Sequence, residues 1–180
     1  MRLSLRAVLV SLIAFAAIGG AIAALPEAKT PSPKTSVSTV SISQGACTGT
    51  TQGVSEFIDF GGNNPSKQYC ALGFTGTGWQ LLSAATQVEG TAQYPVGFVC
   101  RIAGWPAPAK QDCQNTPTYA DGSWVYFLSN DHGGWSFSGI GSTMHKPECG
   151  TSEAWLWVAG GDDPTLALPT SKPSVFKCAD

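Results

Sequence analysis

DGSWVYFLSN (residues 121–130) and GGWSFSGIG (residues 133–141) flank Asp131 and His132, and SEAWLWV (residues 152–158) follows after Cys149. Segments this rich in Trp, Tyr and Phe suit a pleated sheet, and the Asn, Asp and Gly residues between the first two supply tight-turn conformations. A hairpin and a later strand are therefore expected. Along the first strand Trp124, Tyr126 and Leu128 alternate with Val125 and Phe127; along the last, Trp155 and Trp157 alternate with Leu156 and Val158. Both faces of such a sheet are apolar, so both need cover. The chain itself could supply it, through residues 103–121 and 159–180. Alternatively one face is a binding surface, because flat rings stack on a sugar or a macrocycle and bury large areas at low entropic cost. Trp124, Tyr126, Trp135 and Phe137 are the ligand-binding candidates on that reading.

Upstream, VSEFIDF (residues 54–60) puts Val54, Ile58 and Phe60 on one strand face with Glu56 as the exception, and Gly61-Gly62-Asn63-Asn64-Pro65 ends it. In residues 75–90, Thr77 offers an N-cap, Leu81 and Ala85 share a helical face, and Gly90 lies beyond the end, which predicts a short helix over 78–87. GFVCRI (residues 97–102) alternates as a second strand. The order strand, helix, strand, hairpin, strand gives an α+β domain, a mixed sheet with one short helix packed on one side.

At the amino terminus Arg2 and Arg6 precede an apolar run, and small residues end in Ala21-Ile22-Ala23. This is the order of a secretory signal peptide over 1–23. The apolar run is broken by Gly19-Gly20 and falls short of the roughly 20 residues that a bilayer span requires, so no stable membrane anchor is expected. Residues 24–45 are rich in Pro, Ser and Thr and free of aromatics, the composition of a disordered linker. One folded domain, 46–180, remains.

Its six cysteines, Cys47, Cys70, Cys100, Cys113, Cys149 and Cys178, sit behind the export signal. An even number in an oxidising compartment reads as disulfides, each adding about 2–4 kcal/mol. No two are close enough for a C-x-x-C metal site, so no metal or cofactor is expected. Cys100 with Cys113 is the favoured pair, because Gly104, Pro106 and Pro108 turn the chain between them; the other pairings stay open.

The chain carries 10 Lys and Arg against 12 Asp and Glu; without Arg2 and Arg6 the balance is 8 against 12, a net charge of −4. Only 12% of residues are charged, and the bases after residue 45 are scattered. Nucleic acid needs clustered Lys and Arg, so it is excluded as the main partner.

Reactive side chains are scarce. His132 sits in a turn and His145 in a loop before Lys146-Pro147. GWSFSG misplaces the second glycine of a nucleophile elbow, disulfide pairing leaves no thiol, and Asp162-Asp163 reads as a solvated turn. The expectation is a protein that is not an enzyme. A hydrolase using His132 or His145 would need a cleft and a nearby acid.

GFVCRIAGWP, DCQNTP, GSWVYF, GGWSFSGIG and SEAWLWV together resemble a secreted bacterial module of unknown function related to the β-grasp domain at the carboxyl end of transcobalamin-type cobalamin carriers. The resemblance spans residues 54–158. It implies a β-grasp-like fold with 54–60 as first strand, 79–85 as crossover helix and 154–158 as last strand, and a ligand-binding or surface-assembly role with a link to corrinoids. His132 and His145 inherit no metal-ligand role from it, since that role belongs to another domain of the carriers. The expected function is thus a secreted, non-catalytic binding module, extracellular or in the cell envelope, for a small, corrinoid-like ligand or for an extracytoplasmic protein. A disulfide-rich protease inhibitor or defence-type interaction protein is the alternative, suggested by exposed Pro-rich loops such as GWPAPAK.

Overall fold

The computed structural model describes residues 40–118 and 120–179. The expected signal peptide and all of the expected linker before Val40 lie outside these residues. Within them are β1 (Ser41–Gln44), β2 (Gly53–Asp59), β3 (Lys67–Leu72), α1 (Gly78–Ala85), β4 (Val88–Gly90), β5 (Val99–Ile102), β6 (Ser123–Ser129), β7 (Trp135–Phe137) and β8 (Ser152–Val158). Six of the strands form one sheet in the order β1-β3-β2-β8-β6-β7. The central pair, β2 and β8, is parallel, and the other neighbours are antiparallel. The fold is therefore mixed α+β, with one short helix among the described residues.

Two sequence expectations change. β1 falls inside the stretch assigned to the linker; Ile42 packs on Val54, Ala71 and Leu81, and the ladder to β3 orders the polar residues around it. β5 does not join the large sheet but pairs with β4 in a separate two-stranded ribbon. The helix begins where expected. Thr77 and Gln80 close a capping box, with Thr77 N–H donating to Gln80 Oε1 at 2.9 Å and Gln80 N–H to Thr77 Oγ1 at 3.4 Å. It stops at Ala85, short of residue 87, because Thr86 is already extended and the chain enters β4.

The two sheet faces are closed by different parts of the chain. On one, Val54, Ile58 and Phe60 pack with Leu81 and Leu82 of α1, and Trp124, Tyr126, Trp155 and Trp157 continue the layer. Ala103 and Trp105 lie on this same face. On the other, Phe57, Val125, Phe127, Ala154, Leu156 and Val158 form a second core closed by Trp135 and Ala167. The tail thus covers the second face, and residues 103–105 pack with the helix instead. Polar groups fix the tail: Thr170 N–H and Oγ1–H donate to Asp59 Oδ2 at 2.8 and 2.6 Å, and Ser55 Oγ lies 2.9 Å from Ser174 Oγ.

Disulfides join Cys47 to Cys70, Cys100 to Cys113 and Cys149 to Cys178, leaving no free cysteine among the described residues. The Cys100–Cys113 pair is the one its intervening Gly and Pro residues suggest. Arg101 braces the same loop, donating from Nε to Pro106 O and from NH2 to Gln111 O, and pairing with Glu89.

Candidate functional site

β8 runs beside residues 123–128 of β6, whereas β7 pairs only with residues 127–129. After Phe137 the chain leaves the ladder: Ser138 N–H still donates to Tyr126 O at 3.0 Å, but Ser138 Oγ–H turns to Ile140 O at 2.7 Å. Main-chain groups alternate in direction along a strand, so Tyr126 and Leu128 address β7 while Val125 and Phe127 address β8. Trp124 has the parity of Tyr126. Its outward main-chain groups meet no strand and have no main-chain partner among the described residues.

A cavity of about 440 Å³ opens at this half-free edge. Residues 123–126 form its floor with Trp155, residues 137–142 one wall, and residues 97–99 with Pro164 the remainder. None of these side chains is charged. A hollow of about 480 Å³ elsewhere is lined by residues 108–112, 115–118 and 121, including Lys110, Asp112 and Asp121. The first is the stronger candidate, because a specific site is mostly apolar with a few placed polar groups.

Behind the cavity lies a buried polar cluster. Tyr126 lines the cavity, and its hydroxyl donates to Glu153 Oε1 in a very short contact. His145 Nε2 lies 3.3 Å from the same oxygen. The parallel register sets Glu56 beside Glu153, and neither Glu56 oxygen has a hydrogen-bond partner. Burial raises both carboxyls. Glu153 is pushed up to about 8, and Glu56 well above the usual carboxylate range, by burial first and by the neighbouring Glu153 charge second. Burial also raises the Tyr126 hydroxyl, with the Glu153 charge adding to it, and lowers His145. Near neutrality burial therefore favours the protonated form of each carboxyl and the uncharged imidazole. The cluster orients the Tyr126 ring. The helix start closes over it tightly: a Cβ at Gly78 would lie 2.3 Å from Tyr126 Oη and 2.8 Å from Glu153 Oε2, so only glycine fits. The cavity wall is tied to the same helix start, since Gly78 N–H donates to His145 O and Trp79 N–H to Ser142 O, both at 3.0 Å.

Three of the four aromatic candidates line this cavity, but from opposite faces of the sheet: Trp124 and Tyr126 pack in the helix-side layer, whereas the Phe137 ring lies edge-on to Phe127 at 6.2 Å on the tail side. Trp124 and Tyr126 are wall residues with little exposure, and Phe137 is half-exposed at the mouth. Trp135 stands apart: its ring stacks on Phe57 at 6.5 Å and its Nε1–H donates to Ser171 O at 2.6 Å, so it belongs to the tail-covered core. Val99, Ile140, Ser142 and Trp155 also line the cavity. Trp155 had a signal in its alternation with Leu156; Ile140 and Ser142 had none, because they reach the site through a loop. His132 is exposed in the β6–β7 turn, and Asp163 accepts from Thr165 in a turn of its own. No group of three metal-binding side chains occurs among the described residues.

Comparison with protein-family models, curated proteins and solved structures finds no match to this chain.

Proposed function

We propose that this chain is a secreted, non-catalytic binding module of β-grasp-like build that takes its ligand in the cavity beside β6. The carrying observation is an uncharged cavity lined by Trp124, Tyr126 and Phe137 at an incompletely paired strand. The β-grasp-like reading draws support from the order β3-β2-β8-β6, a helix after the first hairpin and a parallel central pair. The reading as an exported protein draws support from three disulfides, which persist in oxidising compartments, and no helix among the described residues is long and apolar enough to cross a membrane.

At about 440 Å³ the cavity is near the lower end of the 300–1,000 Å³ typical of small-ligand sites. A corrinoid-like macrocycle would seat one edge in it and rest on Phe137. For the inhibitor alternative, the Cys100–Cys113 loop is the natural protease-facing segment. Lys110 N–H donates to Ala107 O at 2.8 Å, so the segment is folded into a turn instead of extended as a cleavage mimic, which weighs against that reading.

The test is tryptophan fluorescence and native mass spectrometry of the exported protein titrated with corrinoids, cell-wall sugars and uncharged peptides. A one-to-one adduct that quenches fluorescence and weakens at least tenfold in Phe137→Ala or Ile140→Asp is expected. Binding undiminished in both variants would place the site elsewhere.

A further inference from the structure

We infer that the cavity beside β6 is a strand-addition site: an extended, uncharged segment of a partner polypeptide pairs with the main chain of Trp124 and seats one apolar side chain in the cavity. This rests on the cavity being the binding site and names what occupies it.

The unmet hydrogen-bonding groups point to a polypeptide. Trp124 turns an N–H and a C=O toward the side that β7 has left, and a neighbouring extended chain supplies the complementary pair at ladder spacing. Two further wall residues, Ser142 and Trp155, are 2% and 4% exposed, and neither Ser142 Oγ nor Trp155 Nε1 has a partner. Buried donors without acceptors are costly, so the arrangement suits an occupant rich in carbonyl oxygens. A purely apolar ring system would leave all of them unmet.

The protection usual at a sheet edge is also missing. Natural edges are blunted by charged side chains, proline or a covering element. The stretch Ser123-Trp124-Val125 carries neither charge nor proline, and Trp124 is the residue whose main chain faces outward from it, since Tyr126 O already accepts from Ser138 N–H. The opposite edge, β1, carries exposed Ser and Gln side chains. Around the cavity mouth stand Phe137 at 48% exposure and Ile140 at 50%. Next to wall residue Gly97, where the Thr143 side chain would lie 3.5 Å from a Cβ, the sequence neighbours Val96 and Met144 are exposed. An extended segment that meets Trp124 carries alternate side chains about 6.6 Å apart at the usual strand rise of ~3.3 Å, so one enters the cavity and the next reaches its rim. The absence of charge from the lining selects an uncharged segment, since a charged one would lose its hydration without a counter-charge.

The test is selection of a phage-displayed library of nine-residue segments on the full exported protein, with counter-selection on Ile140→Asp. Enriched sequences should be uncharged with apolar residues two apart. The synthetic form of the leading sequence should bind wild type at least tenfold more tightly than Ile140→Asp, and N-methylation of the peptide amide opposite Trp124 should weaken binding at least tenfold. No enrichment, or an N-methyl peptide that binds as well, overturns the inference. If a corrinoid or a sugar then binds and is lost in Phe137→Ala, the cavity stands as a small-molecule site and only the strand is wrong. If nothing binds there, both readings fall. A dimer in sedimentation that Ile140→Asp dissolves would make the occupant a second copy of this chain, which also overturns the inference.

Discussion

The two faces of the central sheet are built from the same strands, yet they treat their polar residues in opposite ways. On the tail-covered face Ser55 and Asp59 are buried and satisfied, by Ser174 and by Thr170 respectively. One residue along β2, on the helix-covered face, Glu56 is buried with both oxygens unpartnered beside Glu153. The first face is a sealed core held by a polar strap. The second accommodates a carboxyl pair that stays buried by retaining protons, and through Tyr126 that pair reaches the cavity wall. pH sensitivity should therefore concentrate on the helix side, and the tail-side core should be insensitive to pH.

The largest effect expected is at Phe127, fully buried in the tail-side core. Phe127→Ala should cost about 3–5 kcal/mol in urea unfolding, with the same loss at pH 5 and pH 8. A loss that varied with pH would blur the distinction between the faces.

Next comes the carboxyl pair. Folded-state values raised above the unfolded ones mean that the native protein holds more protons, so its stability falls as pH rises. The contribution is complete below the unfolded carboxylate value near 4.5 and is lost as pH climbs through the Glu153 value of about 8. His145, lowered by burial, opposes this by favouring the native state less as pH falls through its unfolded value. The slope between pH 5 and 8 should be negative in wild type and clearly flatter in Glu56→Gln. Equal slopes would remove the raised Glu56 carboxyl from the account.

Asp59→Ala should cost about 1–3 kcal/mol, because Thr170 N–H and Oγ1–H lose their acceptor, and limited proteolysis should then cut the tail first. The smallest stability effect belongs to half-exposed Phe137. Its ring touches Phe127 edge-on at 6.2 Å but is half open to solvent, so Phe137→Ala should cost about 1 kcal/mol, well below Phe127→Ala, while weakening ligand binding.

Much of this sheet was legible because its strands carry strong, buried alternation: the hairpin, the last strand and residues 54–60 needed no tertiary information. Thr77 announced the helix start as an N-cap, and Gln80 completes the capping box there. β3, with the sequence KQYCAL, escaped notice because its outer end is exposed and polar and its ordering comes from β1 and β2 on either side. β1 was hidden for the same reason. Three of the four aromatic candidates share the cavity, but alternation alone could not tell Trp135 from Phe137, since their separation depends on where the tail crosses. Glu56 stood out as a misfit on its strand. Its partnership with Glu153 depends on the parallel pairing of the two central strands, separated by nearly a hundred residues of sequence.

Amide hydrogen exchange along β6, read residue by residue by NMR in the free and peptide-bound protein, bears on the free edge itself. Val125 and Phe127, bonded toward β8, should be protected in both states, whereas the Trp124 amide should exchange much faster in the free protein and slow at least tenfold when the segment binds. A Trp124 amide already as protected as Val125 in the free protein would mean that the edge is closed, and the binding account would be contradicted.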